Sequence, residues 1–279
     1  MKKLIVSALI ALCLGSCTGN RAVEMAYGIA FATASADTTV ALAPTAGSPQ
    51  CTISCSILYA TGAGPAPRIN RTLMSSAALA PIMSAHTEDG QAHGADSRLE
   101  PKIARATRAY VQTSLETYRQ MAVMYHSDPA HADSYGQHIA VTTEVAEGAD
   151  SIINYMVTAH MKTGQEPDQI QTQVINLSAR TGRQIALTDI IIEGAEEQLL
   201  HDIVAQMARQ MDVEGLAGLR AKGIFAYEAP YIAPNFIVAP EGITFIYNIG
   251  EVAPVEMGDI RVTLHQKNIR KYANHREIL

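Results

Sequence analysis

The chain has 279 residues, 48% of them hydrophobic, and a formal charge of −6 from 21 Lys and Arg against 27 Asp and Glu. That length supports one large domain or two small ones with a real core. The acidic balance argues against DNA or RNA as partner, because nucleic-acid binders neutralise phosphates with surplus cations. With no Trp and only four Phe, a dedicated stacking lectin is disfavoured as well.

At the start, Lys2 and Lys3 precede an apolar run over 4–12, followed by Leu14-Gly15-Ser16-Cys17. A Leu, two small residues and a Cys form the pattern read by lipoprotein signal peptidase. The run is too short for a permanent membrane span and reads as a secretory signal that is removed. Residues 1–16 are therefore expected as signal peptide, Cys17 as the acylated new N-terminus, and 17–26 as a lipidated tether. An ordinary signal peptide cut nearby is the competing reading. Acylation implies a protein of the bacterial cell envelope, held to the outer membrane or cell surface through its lipid.

A β-rich stretch comes next, with strands expected over 27–33, 38–42 and 51–59, broken by turns at Ala36-Asp37 and Ala46-Gly47-Ser48-Pro49. Cys51 and Cys55 fall in an alternating apolar–polar run, the mark of a half-buried strand. At about 3.3 Å per residue they stand roughly 13 Å apart, beyond the ~7 Å that a disulfide spans. Both are expected as small buried residues, although an envelope protein could also hold a disulfide. A helix is expected over 68–84, then a polar stretch. Ser97-Arg98-Leu99-Glu100 is a capping-box pattern with Pro101 in the first turn. Apolar residues from Ile103 to Tyr125 recur at helical spacing.

Three strands, 139–145, 151–161 and 169–179, predict an antiparallel meander. Arg180-Thr181-Gly182-Arg183 turns the chain. The next helix has Glu193, Glu196 and Glu197 at its positive end and Arg209 near its negative end. Its buried stripe is expected from Leu200, Ile203, Val204, Met207 and Met211, with Gly215 and Gly218 loosening the chain after it. Strands over 235–238, 243–247 and 260–264 and a short closing helix complete the pattern. The fold class is α+β: antiparallel sheets with helices packed on them. The organisation expected is an N-terminal segment, 27–165, and a C-terminal segment, 166–279.

Chemistry is sparse. His126, Asp128, His131, Asp133 and His138 lie close together, but their spacing matches no ligand motif, so no metal is expected. There is no Gly-x-Ser-x-Gly, no Ser-x-x-Lys set and no phosphate loop. The two mature cysteines lack a helix start or basic group to activate them. No cofactor and no catalytic residue is assigned.

The C-terminal motifs carry a resemblance. Asn176 to Ile190 reads as a strand, a Thr-Gly turn and an Ile-x-Leu-x-Asp entry to a helix. Asn235-Phe236, then Pro240-Glu241-Gly242-Ile243-Thr244-Phe245-Ile246-Tyr247, then Ala253-Pro254 and Gly258 before an Ile-x-Val-x-Leu strand complete the set. Over roughly 169–273 the chain resembles the RsiV-like extracellular domain, and over 27–165 the companion domain that usually precedes it, Asn70 included. That family occurs in lysozyme-sensing anti-sigma factors, beside some peptidoglycan deacetylases, and in bacterial lipoproteins.

Two departures fall in segments that could face a ligand. Val157-Thr158-Ala159-His160 stands where the family often has Gly-Gly-Ala-His. Tyr247-Asn248-Ile249-Gly250-Glu251-Val252 stands where it often has Tyr-x-Pro-Tyr-x-Ile. The binding residues expected from the resemblance are Tyr155, His160, Tyr247 and Glu251. The expectation is a non-catalytic, lipid-anchored envelope protein that binds a protein such as lysozyme or a cell-wall fragment. The alternative is an enzyme on cell-wall glycans, a deacetylase or hydrolase.

Overall fold

The computed structural model describes residues 23–24, 28–88, 102–149 and 151–274. Cys17, the signal segment, most of the tether, the Ser97–Glu100 capping pattern and Pro101 lie outside the described residues. Strand β1 (Val23–Glu24) adds two residues to the edge of β2 (Ala30–Ala41). Strand β3 (Gln50–Thr61) alternates as its sequence demands: Cys51, Ile53, Cys55 and Ile57 are buried, while Thr52, Ser54 and Ser56 are not. Both cysteines are free thiols in this core.

β2 and β3 pair antiparallel without a break, from Ala30 opposite Thr61 to Ala41 opposite Gln50. The expected turn at Ala36-Asp37 is therefore not there. Neither residue requires a special backbone angle, and the unbroken ladder to Cys55 and Ser54 keeps the strand straight. The turn comes later, where Leu42 N donates to Pro49 O at 3.0 Å and Ala43 N to Ser48 Oγ at 2.8 Å.

Strands β4 (Gln137–Glu147), β5 (Ile152–Thr163) and β6 (Gln169–Ser178) form the expected antiparallel meander. β4 then lies beside β3 in parallel, from Cys51 opposite Gln137 to Ser56 opposite Thr142. The α+β class holds, with one parallel pair in an otherwise antiparallel sheet ordered β1-β2-β3-β4-β5-β6. A parallel pair requires a long crossover. Here it carries α1 (Ala66–Met74), α2 (Ala80–Glu88), α3 (Lys102–Gln120) and α4 (Ala122–Ser127). Ile69 and Leu73 of α1 and Ile103, Val111, Leu115 and Tyr118 of α3 join Ile53, Ile57 and Tyr155 in one core. The single helix expected over 68–84 is split. Ser75 and Ser76 hydroxyls bond back to Thr72 O and Leu73 O, competing with the helix ladder.

Past Ser56, β3 diverges from β4, and side chains take over its backbone groups. Thr143 Oγ1 accepts from Leu58 N at 2.7 Å, and Tyr155 OH donates to Leu58 O at 2.7 Å. The Asn70 amide bonds both Ala60 N and Ala60 O at 2.8 Å.

A second core is built mostly by the chain after β6. Asp189 in α5 (Leu187–Ile190) accepts from Ala186 N at 2.8 Å, which gives the Ile-x-Leu-x-Asp motif its purpose as a helix entry. Leu199, Ile203 and Met207 of α6 (Glu196–Gln210) are buried, so the stripe runs through Leu199 rather than Leu200. The glycines after it sit within and at the start of a short helix, α7 (Gly215–Ala221). Strands β7 (Asn235–Ala239), β8 (Gly242–Tyr247) and β9 (Ile260–His265) form a three-stranded antiparallel sheet, closed by α8 (Gln266–Ile269).

Asparagines join the two sheets. Asn154 and Asn176 stand directly opposite each other on β5 and β6, 1% and 2% exposed. Asn154 bonds both Val238 N and Val238 O at 2.9 Å, and Asn176 Nδ2 donates to Phe236 O at 2.9 Å. In return, Asn235 accepts from Val174 N at 3.2 Å and donates to Thr172 O at 3.1 Å, while Asn248 accepts from Thr172 N at 2.7 Å. Gly148 is required here, since a Cβ at this position would collide with Val238 O. Gly182 has φ +71°, and its carbonyl accepts from Thr72 on α1 at 2.8 Å, docking the Thr-Gly turn on the first core.

Candidate functional site

Helices cover one face of the large sheet. Side chains on the other face form three cross-strand rows. Thr39, Thr52, His138 and Lys162 stand side by side; so do Asp37, Ser54, Ala140, His160 and Ile170; so do Ser35, Ser56, Thr142, Thr158 and Thr172. None of these side chains is buried. The face is rich in hydroxyls, with Thr39 and Thr52 Oγ1 atoms 3.3 Å apart and those of Thr158 and Thr172 3.5 Å apart.

One end of the face carries charge. His160 Nε2 lies 2.9 Å from Asp168 Oδ2, and Lys162 Nζ donates to Asp168 Oδ1 at 2.8 Å. The Lys162 hydrogen bond, then that of His160, holds the Asp168 carboxyl below its ordinary range. The His138 and His160 rings meet edge-on with centroids 5.1 Å apart. His160 alone among the residues expected from sequence belongs to this face. Sequence reasoning misses His138, Lys162 and Asp168 as a group. Alternation along β4 and β5 is the signal that could find the first two. Only the β5–β6 turn brings up the third.

The other expected residues are placed elsewhere. Tyr155 is fully buried in the first core, and its hydroxyl is spent on Leu58 O. Tyr247 is fully buried in the second core and donates to Tyr231 O at 2.6 Å. Burial pushes both phenols up. Glu251 accepts from Tyr231 OH and from Asn248 N, each at 2.7 Å, and so closes the turn after β8. These four residues share no common surface: both tyrosines serve the cores, and both Glu251 oxygens are committed internally.

Burial also raises the thiols, Cys51 to about 11 and Cys55 to about 12, which leaves them poor nucleophiles. In the His-rich run, His131 pairs with Asp128 at 2.8 Å, and His126 Nδ1 lies 2.6 Å from Ala122 O. Among the described residues, no three His, Cys, Asp or Glu side chains converge as metal ligands. No helix among them is long and apolar enough to cross a membrane.

This geometry defines a class: a two-sheet α+β protein with one helix-covered sheet, one open polar sheet face and a second core fastened by asparagines. Residues 188–267 match the family described as "Protein of unknown function (DUF3298)". No curated protein matches the chain. A DUF3298 member from Bacteroides fragilis is similar in structure, with TM-score 0.68 and 18% identity over 88% of this chain and 94% of that one. A DUF3298 family protein from Pseudomonas aeruginosa is similar too, with TM-score 0.53 and 14% identity over 87% of this chain and 94% of that one. At these identities the likeness concerns the fold.

Proposed function

We propose that this is a lipid-anchored protein of the bacterial cell envelope that binds a partner without catalysing a reaction. The observation that supports binding is the open face with its three polar rows. Its side chains spread over neighbouring strands and none is buried, so it suits an extended surface rather than an enclosed small molecule. Its hydroxyls, imidazoles and single Lys–Asp pair offer directional hydrogen bonds. The partner is a protein such as lysozyme or a cell-wall fragment, a choice supported by the resemblance to the RsiV-like domain. Anchoring rests on the Leu14-Gly15-Ser16-Cys17 pattern. More than one acyl chain gives stable attachment, at about 0.8 kcal/mol per buried methylene.

The full chain should be retained on purified peptidoglycan or on immobilised lysozyme, and a His160→Ala/Lys162→Ala variant should lose that retention. Retention on neither support removes both ligands. Turnover of peptidoglycan by the chain would instead favour a cell-wall enzyme. Cys17→Ala should abolish palmitate labelling and membrane retention, and labelling that persists in this variant would refute the anchor.

A further inference from the structure

The charged end of the open sheet face carries more bases than acids. His138 on β4 stands directly opposite Lys162 on β5, with Thr52 of β3 on its other side. Its ring meets that of His160 edge-on, centroids 5.1 Å apart. Three basic side chains thus share the neighbourhood of one carboxylate, Asp168, which is already divided between two of them. Oδ2 lies 2.9 Å from His160 Nε2, and Oδ1 accepts from Lys162 Nζ at 2.8 Å. Asp168 stays ionised in weak acid, because those bonds hold its carboxyl below the ordinary range. The remaining acids on this side are Asp37 on β2, Glu144 six residues farther along β4 and Glu166 in the β5–β6 turn. Among the described residues none of these bonds to an imidazole, and His138 has no hydrogen bond.

Imidazole is the side chain that changes charge between pH 5 and 8. With both rings neutral the cluster balances, one ammonium against one carboxylate. Protonation then sets two new positive charges side by side. Asp168 answers that of His160. A charged His138 faces His160 and Lys162, and like charges this close disfavour one another. An anion seated between His138 and Lys162 removes that penalty. A carboxylate suits the place, since its two oxygens accept from two donors at once. The 3.3 Å bond between Thr39 and Thr52 uses one hydroxyl proton of that pair and leaves the other to donate beside His138.

We propose that His138 and Lys162 form a binding site for a carboxylate group, and that filling it draws a proton onto His138. This rests on the reading that the open face binds a partner, and it names the partner's chemistry: an acidic cell-wall fragment with free carboxylates, rather than a basic protein surface. Linkage is reciprocal, so acid strengthens carboxylate binding as much as carboxylate strengthens proton uptake.

The test is a titration of the full chain with acetate, followed through the histidine ring resonances by NMR. The expected result is saturable shifts of His138 and His160 at pH 5.5, binding about tenfold weaker at pH 8, and no response to neutral acetamide. His138→Asn should remove the pH dependence, and Lys162→Gln should weaken binding at both pH values. Thermal melts would show whether either variant disturbs the fold. An equal response to acetamide, an acetate affinity independent of pH, or no saturable shift at pH 5.5 overturns the proposal. Retention of the chain on peptidoglycan without acetate binding removes the carboxylate site and keeps the binding face. Acetate binding without such retention supports the site and removes peptidoglycan as its source. Retention on lysozyme alone overturns the acidic partner.

Discussion

The two edges of the large sheet face the same physical problem and meet it differently. At the β6 edge side chains and the following turn take up several outward backbone groups. Asn248 and Asn235 take Thr172 and Val174, Ile185 N donates to Asn176 O, and Ser178 N donates to Arg183 O. Asparagine suits this task because its side-chain amide repeats the donor–acceptor pair of a peptide group. At the β2 edge Thr33, Ser35, Asp37 and Thr39 turn the same kind of groups outward, and among the described residues no side-chain amide clamps them. The difference shows that an edge of a sheet can be ended by side chains, which makes a closed junction.

The comparison can be broken most forcefully at Asn154. Replacing it with Ala leaves Val238 N and O unpaired in a buried junction, and urea unfolding should register a loss of about 3 kcal/mol. Gly148→Ala forces a methyl group against Val238 O and should cost about 2 kcal/mol in the same measurement. Asn248→Ala and Asn235→Ala act at half-buried positions and should cost about 1 kcal/mol each. The Thr172 amide should exchange faster in Asn248→Ala and the Val174 amide in Asn235→Ala, while those of β2 stay unchanged. If the β2 amides changed as well, the two edges would not be independent.

The smallest effect sharpens the comparison at the turn that ends the β5–β6 hairpin. Asp168 has its carboxyl held below the ordinary 3.8 in the folded protein by Lys162 and His160. Its contribution is therefore present above the unfolded value and is lost as pH falls through the lower folded one. Acid titration of stability should show slightly less loss below about pH 4 for Asp168→Asn than for the native chain. The pair is exposed, so the difference will be small.

Much of the fold is legible because periodicity reports burial directly. The alternation through Cys51 to Ile57, the α3 stripe and the three-strand meander all appear where residue spacing places them. The missed features have local causes. Ala36-Asp37 reads as a turn because polar character resembles a break when the partner strand is not known. The break near Ser75 and Ser76 depends on hydroxyls choosing backbone carbonyls over water. The site is less legible still. Tyr155 and Tyr247 carry polar groups that suggest ligands, but each hydroxyl satisfies a backbone carbonyl in a core. His160 reaches the surface, and its partners His138, Lys162 and Asp168 come from a neighbouring strand, its own strand and the turn beyond it.

By itself the sequence determined most of the elements and the faces they bury, since each depends on neighbours a few residues away. Tertiary structure alone decided the parallel join of β3 to β4, the asparagine junction and the three polar rows. Those depend on which strands lie side by side. Strand partners are separated by as many as 86 positions at the β3–β4 pair, where Cys51 meets Gln137, and no local periodicity records such a choice.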